Sequence, residues 1–159
     1  MSEQHCTPKN ILIIEDNPAT STILSHIVRD LGYIPITASC GEEAKERLAL
    51  NEFALCLLDL NLPDINGQRL CKYIRARTAV PLVVLSAEDD VDVIIKLLEI
   101  GADDYIVKPA HFSVVKVTIL AQMRRAAIAK PVEARRKNYD PFYYLSLIQT
   151  DPSGNSRLH

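Results

Sequence analysis

The sequence predicts an α/β domain built on a doubly wound, five-stranded parallel sheet. Short and continuous apolar runs alternate along the chain with longer segments whose apolar residues recur at helical spacing. Each apolar run ends abruptly at polar residues, as expected of parallel strands that are covered on both faces. Five strand–helix units fit within about 120 residues, and right-handed crossovers between them would place helices on both sides of the sheet.

The first two strands flank a well-marked helix. Residues 11–14 form the first apolar run and predict the first strand. Asn17 is suited to cap the helix that follows, and Pro18 suits the first helical position. Residues 33–38 predict the second strand, and the proline at position 35 favours a place at the edge of the sheet.

The remaining elements repeat this alternation. They are predicted at residues 42–50 (helix), 53–58 (strand), 68–77 (helix), 82–85 (strand), 89–100 (helix), 105–107 (strand) and 112–129 (helix). The domain then spans residues 9–129, after a polar tail at residues 1–8. Residues 130–159 are expected to form a short C-terminal extension, partly disordered.

Composition and charge exclude several functional classes. The 18 Lys and Arg against 20 Asp and Glu give a formal net charge of −2, which argues against a strongly cationic nucleic-acid binder. No apolar run approaches the ~20 residues of a membrane helix, and the N-terminus has no signal-peptide core. The four cysteines include no CxxC pair. A cytoplasmic protein without membrane partners is therefore expected.

Polar side chains collect where the predicted strands end. Glu15 and Asp16 follow the first strand, Asp59 follows the third, Ser86 the fourth and Lys108 the fifth. In open α/β sheets the ligand site lies beyond the carboxyl ends of the strands. We therefore expect three acids, a hydroxyl and an amine to converge at one edge of the sheet.

These residue types point to phosphoryl chemistry with a metal ion. Three carboxylates about 5 Å apart would repel by roughly 3 kcal/mol per pair at an effective dielectric near 20, so the cluster needs a cation or a raised pKa. Ligands that are all oxygen, with no His or Cys, favour Mg²⁺. A carboxylate beside Mg²⁺, with an ammonium and a hydroxyl donor nearby, is suited to accept a phosphoryl group.

Four motifs resemble those of one known family. They are Ile-Ile-Glu-Asp-Asn at residues 13–17, Leu-Asp-Leu-Asn-Leu-Pro-Asp-Ile-Asn-Gly at 58–67, Leu-Ser-Ala at 85–87 and Gly-Ala-Asp-Asp-Tyr-Ile-Val-Lys-Pro at 101–109. Together they resemble the receiver domain of two-component response regulators, of the CheY-like superfamily, over about residues 9 to 127. The resemblance implies a flavodoxin-like sheet of the receiver type.

The resemblance also implies roles for individual residues. Asp59 would be the phosphoacceptor of a His–Asp phosphorelay. Mg²⁺ would be held by Glu15, Asp16, Asp59 and the backbone carbonyl of Asn61.

Three further residues would respond to the phosphoryl group. Ser86 would hydrogen-bond it, and Lys108 would pair with one of its oxygens. Tyr105 would be the aromatic switch that moves inward when Ser86 shifts. The peptide bond between Lys108 and Pro109 is expected to be cis, an uncommon X-Pro state.

The resemblance implies partners as well. Phosphate would come from a sensor histidine kinase or a histidine phosphotransfer protein. Phosphorylation would then switch the surface of the fourth helix, fifth strand and fifth helix (α4-β5-α5; residues 89–100, 105–107 and 112–129), which controls a partner, a homodimer or an output domain. No membrane and no direct nucleic-acid binding are expected. The chain would catalyse only its own phosphorylation and dephosphorylation, and residues 130–159 are too few for a complete output domain.

Two other functions remain open from the sequence. One is a docking or scaffold module that keeps the receiver fold but works without phosphorylation. The other is a phosphatase of the haloacid-dehalogenase type, which also uses an Asp nucleophile. That family needs a second Asp two residues after the nucleophile, where this chain has Asn61.

Overall fold

A computed structural model describes residues 8–128 and confirms the predicted alternation of strands and helices. In chain order the elements are β1 (Asn10–Ile14), α1 (Pro18–Asp30), β2 (Ile34–Ala38), α2 (Gly41–Leu50), β3 (Leu55–Leu58), α3 (Gly67–Arg77), β4 (Leu82–Ser86), α4 (Val91–Ile100), β5 (Asp104–Val107) and α5 (Phe112–Ile128). The predicted α/β class is therefore correct. The main boundary differences are at β3, which begins two residues later than predicted, and at α4, where Asp90 caps the helix.

All neighbouring strands of the sheet are parallel, in the order β2-β1-β3-β4-β5. Ile14 is paired with Ala38 on one side and with Leu58 on the other. The backbone N–H of Glu15 continues this ladder to Ala38 O (3.0 Å), and that of Asp59 continues it to Ile14 O (2.9 Å). This register places Glu15 and Asp59 side by side as soon as their strands end.

Burial increases from the edge of the sheet to its centre. β2 lies at one edge, as its proline predicted, and its Ile34 is 54% exposed. The apolar side chains of β1, β3 and β4 are all buried between the helical layers, which explains why these strands read as continuous apolar runs. The core around them is completed from α1 by Leu24, Ile27 and Val28 and from α5 by Val115 and Ile119.

The helix ends follow from local chemistry. Asn17 accepts a hydrogen bond from Thr20 N (3.1 Å) and caps α1, with Pro18 in the first turn as predicted. Asn66 caps α3 in the same way through Gln68 N (2.9 Å). α4 ends at Gly101, whose φ of 126° lies in the region that favours glycine.

Some predictions fall outside the described residues. Residues 1–7, most of the predicted polar tail, and residues 129–159, which include the predicted C-terminal extension, belong to this category. The division into tail, domain and extension therefore stays a prediction. Between residues 8 and 128, no helix is long and apolar enough to cross a membrane.

Candidate phosphoryl and metal site

Three carboxylates meet at the carboxyl edge of the sheet. Glu15, Asp16 and Asp59 each offer an oxygen, and these oxygens lie within 4.8 Å of one another. Glu15 and Asp59 are only 3% and 7% exposed, while Asp16 faces solvent. The convergence expected from the strand ends is thus present for all three acids.

Lys108 lies between the two buried acids. Its Nζ donates to Glu15 Oε2 (2.6 Å) and to Asp59 Oδ2 (3.3 Å). The backbone N–H of Lys108 bonds Ser86 O (2.8 Å), and the peptide bond to Pro109 is cis, as expected. The tighter contact is with Glu15, so the ammonium is oriented by a neighbour of the proposed phosphoacceptor as well as by Asp59 itself.

The charges of this cluster do not balance, since one ammonium faces three carboxylates. Burial raises the pKa of Glu15 above its ordinary value of 4.5, and repulsion from Asp59 raises it further. Hydrogen bonds from Lys108 and from the backbone of Asn17 (3.0 Å) act in the opposite direction. The site retains an excess of negative charge on hard oxygen ligands, which is the donor set that suits a divalent cation such as Mg²⁺.

Ser86 lies at the end of β4 with its side chain fully buried. Its Oγ accepts a hydrogen bond from Glu88 N (3.3 Å). The Tyr105 hydroxyl donates to the backbone carbonyl of the same Glu88 (2.6 Å), and burial raises the pKa of Tyr105 to about 12. Residues 86–88 therefore connect the strand-end hydroxyl to the tyrosine that the sequence singled out.

The loop between β3 and α3 (residues 59–66) begins at Asp59. Asn61 is exposed, and its backbone N–H donates to Asp59 Oδ1 (3.3 Å). An isolated antiparallel bridge joins Asn61 to Asn66 and closes the loop on itself. The structure thus places Asn61 next to the acid cluster. Its role as a metal ligand, like the roles of the other site residues, stays a prediction.

Sequence reasoning missed two contributors near this site. The carbonyl of Glu88 holds Tyr105, and a backbone group gives no signal in a sequence. Asp64 binds the start of α2 through two backbone N–H groups. In the sequence, Asp64 is only an acidic residue after Pro63 in a predicted turn. That pattern predicts the turn but not the contact between Asp64 and α2.

Comparison with known proteins agrees with this geometry. Residues 11–120 match the family profile of the response regulator receiver domain. The chain is 36% identical over 124 residues to the alkaline phosphatase synthesis transcriptional regulatory protein PhoP of Bacillus subtilis, covering 77% of this chain and 52% of PhoP. It is 35% identical to the DNA-binding response regulator MtrA of Mycolicibacterium smegmatis, covering 74% of this chain and 51% of MtrA.

Solved structures give the same result. A two-component response regulator from Clostridium difficile is 30% identical, with a TM-score of 0.72 and coverage of 74% of this chain and 98% of that one. The BeF3-activated receiver domain of RstA from Klebsiella pneumoniae is also 30% identical, with a TM-score of 0.69 and coverage of 72% and 98%.

The relatives correct the prediction about partners, which left out nucleic acid. That prediction is wrong, because PhoP is named a transcriptional regulatory protein and MtrA a DNA-binding response regulator. It rested on the near-balanced charge of this chain and on residues 130–159 being too few for an output domain, and this chain spans about half the length of the curated relatives it matches. The net charge of the matched part gives no information about what the rest of such a relative binds.

The strand order, the acid cluster with its lysine and hydroxyl neighbours, and the match over residues 11–120 agree. The chain belongs to the response regulator receiver domain family.

Proposed function

We propose that this chain receives a phosphoryl group on Asp59 within a two-component phosphorelay, in a reaction that depends on Mg²⁺. The observation that carries the proposal is the position of Asp59. Its carboxylate is 7% exposed, contacts the Lys108 ammonium at 3.3 Å and shares a 4.8 Å cluster with Glu15 and Asp16. A carboxylate so placed has a cation for the incoming phosphoryl oxygens and a second cation site beside it.

The transfer step is a displacement at phosphorus. A carboxylate oxygen of Asp59 forms a bond to the phosphorus of the donor, and the bond from phosphorus to the donor's leaving atom breaks. With acetyl phosphate, acetate leaves with the electron pair, and the product is an aspartyl phosphate. Mg²⁺, held by Glu15, Asp16, Asp59 and the Asn61 carbonyl, would neutralise charge on the transferring oxygens. The Lys108 ammonium would bind one of these oxygens and the Ser86 hydroxyl another.

The contacts of Ser86 and Tyr105 suggest how phosphorylation of Asp59 would change the surface of the domain. If Ser86 turns toward the phosphoryl group, its Oγ leaves Glu88 N, and residues 86–88 move with it. Tyr105 is bonded to the carbonyl of Glu88 and sits in β5 beside α4 and α5. A movement of this segment would therefore change the α4-β5-α5 surface.

We further propose that the chain is the receiver part of a transcription regulator. The names of its relatives and the half of their length that it spans support this assignment. Its own chemistry would be limited to its phosphorylation and dephosphorylation. The cytoplasmic location expected from the sequence remains a prediction.

The test is intact-mass measurement after incubation with acetyl phosphate and Mg²⁺. We expect one phosphoryl adduct on the wild-type chain and none with Asp59→Asn or with EDTA. Asp30→Asn makes the same chemical change on α1, away from the cluster, and should be labelled like the wild type. An adduct on Asp59→Asn would refute the assignment of the acceptor. If the wild type gives neither an adduct nor binding of fluoroberyllate, the phosphorylation-independent docking module replaces this proposal.

A further inference from the structure

Asp64 caps a helix to which it does not belong. It lies in the β3–α3 loop, yet its Oδ1 accepts a hydrogen bond from Gly41 N (2.7 Å) and its Oδ2 accepts one from Glu42 N (2.9 Å). Both donors are in the first turn of α2. These two backbone hydrogen bonds are the main reason why the pKa of the Asp64 carboxyl lies below its ordinary value.

Helix α2 depends on this carboxylate because the residue at its own N-cap position supplies no side-chain acceptor for the free N–H groups. Cys40 occupies the N-cap of α2 and makes no side-chain capping bond. An N-cap side chain normally comes from the residue just before the helix and satisfies one of the free N–H groups. Here a residue 23 positions away satisfies two of them. The bonds therefore join two parts of the fold as well as ending a helix.

The backbone of α2 also lies very close to side chains of the loop at this point. A Cβ atom on Gly41 would overlap Cγ2 of Ile65 and would lie 3.3 Å from Asp64 Oδ1. Gly41 is buried. Only the absence of a side chain at position 41 allows the loop to lie against α2 so closely.

The loop is fixed at its two ends as well. Near its start, Asn61 N donates to Asp59 Oδ1 (3.3 Å), and near its end, Asn66 caps α3. The bridge between Asn61 and Asn66 closes the base of the loop. Asp64 lies between these points, so its hydrogen bonds to α2, together with the packing of Ile65 against Gly41, hold the tip of the loop.

We propose that Asp64 is a positioning residue for the metal site, and that its bonds to α2 orient the β3–α3 loop so that the Asn61 carbonyl is placed to bind Mg²⁺. This inference rests on the proposed function. Asp64 itself touches neither the metal nor the phosphoryl group. It acts through the loop backbone, in the manner of outer groups that orient a metal ligand.

The direct test is Mg²⁺ binding to the unphosphorylated chain, measured by calorimetry on Asp64→Ala and Asp64→Asn. Outer partners of metal ligands change affinity by roughly 10–100-fold, and a contact that acts indirectly through a loop should have a smaller effect, about 3- to 10-fold weaker binding for Asp64→Ala. Asp64→Asn keeps one acceptor oxygen and should show a smaller loss. Phosphorylation by acetyl phosphate should need more Mg²⁺ but reach nearly the wild-type rate at saturation.

Glu43 provides the matched control. It also accepts a hydrogen bond from a backbone N–H near the start of α2, that of Ser39 (2.7 Å), but within the described residues its hydrogen bonds go to Ser39 and Arg47 and not to the loop. Glu43→Gln should leave Mg²⁺ affinity unchanged. Gly41→Ala displaces the loop from the other side through Ile65, and it should weaken Mg²⁺ binding while Asp64 is intact. This variant keeps the test informative if Asp64→Ala folds poorly.

The outcomes separate the two proposals. Mg²⁺ affinity that stays at the wild-type value in folded Asp64→Ala and Gly41→Ala would overturn the positioning role and leave Asp64 as a helix cap. An equal loss in Glu43→Gln would overturn it too, because the effect would then belong to α2 in general. A wild-type chain that binds no Mg²⁺ and accepts no phosphate would instead refute the proposed function, and the positioning role with it.

Discussion

Opposite edges of the same sheet each carry a charged centre, and the two are built differently. At the amino edge, the Arg75 guanidinium donates to Asp103 Oδ2 (3.0 Å) and to the carbonyls of Gly101 (2.6 Å) and Val80 (2.8 Å). Asp103 also accepts Leu82 N (2.8 Å) at the start of β4. At the carboxyl edge, the Lys108 ammonium is paired with two carboxylates, those of Glu15 and Asp59, and the carboxylate of Asp16 lies beside them.

The difference indicates that the Arg75 centre stabilises the fold, whereas the Lys108 centre is suited to bind a ligand. At the Arg75 centre the guanidinium is paired with the Asp103 carboxylate and donates its other hydrogen bonds to backbone carbonyls, so the charges of this pair balance. It fastens the end of α3 to the segment before β5. The Lys108 centre keeps an excess of negative charge, which an external cation or a raised pKa can offset. A sheet that is locked at one edge can hold an unbalanced group of charges at the other.

Removal of Arg75 should give the largest effect on stability. Arg75→Met removes the ion pair with Asp103 and the hydrogen bonds to the carbonyls of Gly101, Thr78 and Val80, in a site where the two paired side chains are 17% and 27% exposed. We expect a loss of about 2–4 kcal/mol in the free energy of unfolding, measured by urea denaturation. The folded variant should still accept phosphate, because the carboxyl edge is unchanged.

Lys116→Met is the control for that variant. It breaks the Lys116–Asp30 pair, whose side chains are 39% and 65% exposed, and it should cost no more than about 1 kcal/mol. If the two variants lost equal stability, the distinction between the edges would fail.

Removal of an acid at the carboxyl edge should have the opposite sign. Asp59→Asn removes a buried charge that repels Glu15, while Glu15 keeps its 2.6 Å bond to Lys108. In EDTA we expect the free energy of unfolding to rise by about 1 kcal/mol, although the chain can no longer be phosphorylated. A clear loss of stability would instead mean that the Lys108–Asp59 pair supports the fold as the Arg75 centre does.

The smallest expected effect is on the pH dependence of the free energy of unfolding, and it comes from Glu15 at the carboxyl edge. Because the pKa of Glu15 is raised in the folded chain, the folded state binds more protons than the unfolded state just above pH 4.5. The contribution of Glu15 to stability should therefore fall as the pH rises through that window. Urea denaturation at several pH values, without Mg²⁺, should show this slope in the wild type and lose it in Glu15→Gln. An identical slope in both would exclude Glu15 as its source.

Most of the fold followed from local patterns. The continuous apolar runs of β1, β3 and β4 predict strands covered on both faces, and the proline of β2 predicted its place at the edge of the sheet. The convergence of Glu15, Asp59 and Lys108 followed from the rule that parallel strands end at one edge of the sheet, whereas the roles of Asn61 and Tyr105 came only from the family resemblance and stay predictions. The contacts that could not be predicted join residues that are far apart in the sequence. Arg75 meets Asp103 across 28 positions, and Asp64 meets Gly41 across 23. Neither contact has a periodicity or a motif.

The sheet order has a further consequence for motion. Glu15 and Asp59 follow β1 and β3, which are flanked by other strands on both sides, and the amide of Asp59 is bonded to Ile14 O. Amides in such central strands exchange with solvent deuterium mainly when the whole domain unfolds, whereas those of edge strands exchange through small local openings. The amide of Asp59 should therefore be among the slowest to exchange and those of β2 much faster. The carboxylate proposed to accept the phosphoryl group is thus attached to the part of the backbone expected to open least often, so its atoms should keep their positions between one encounter with a donor and the next.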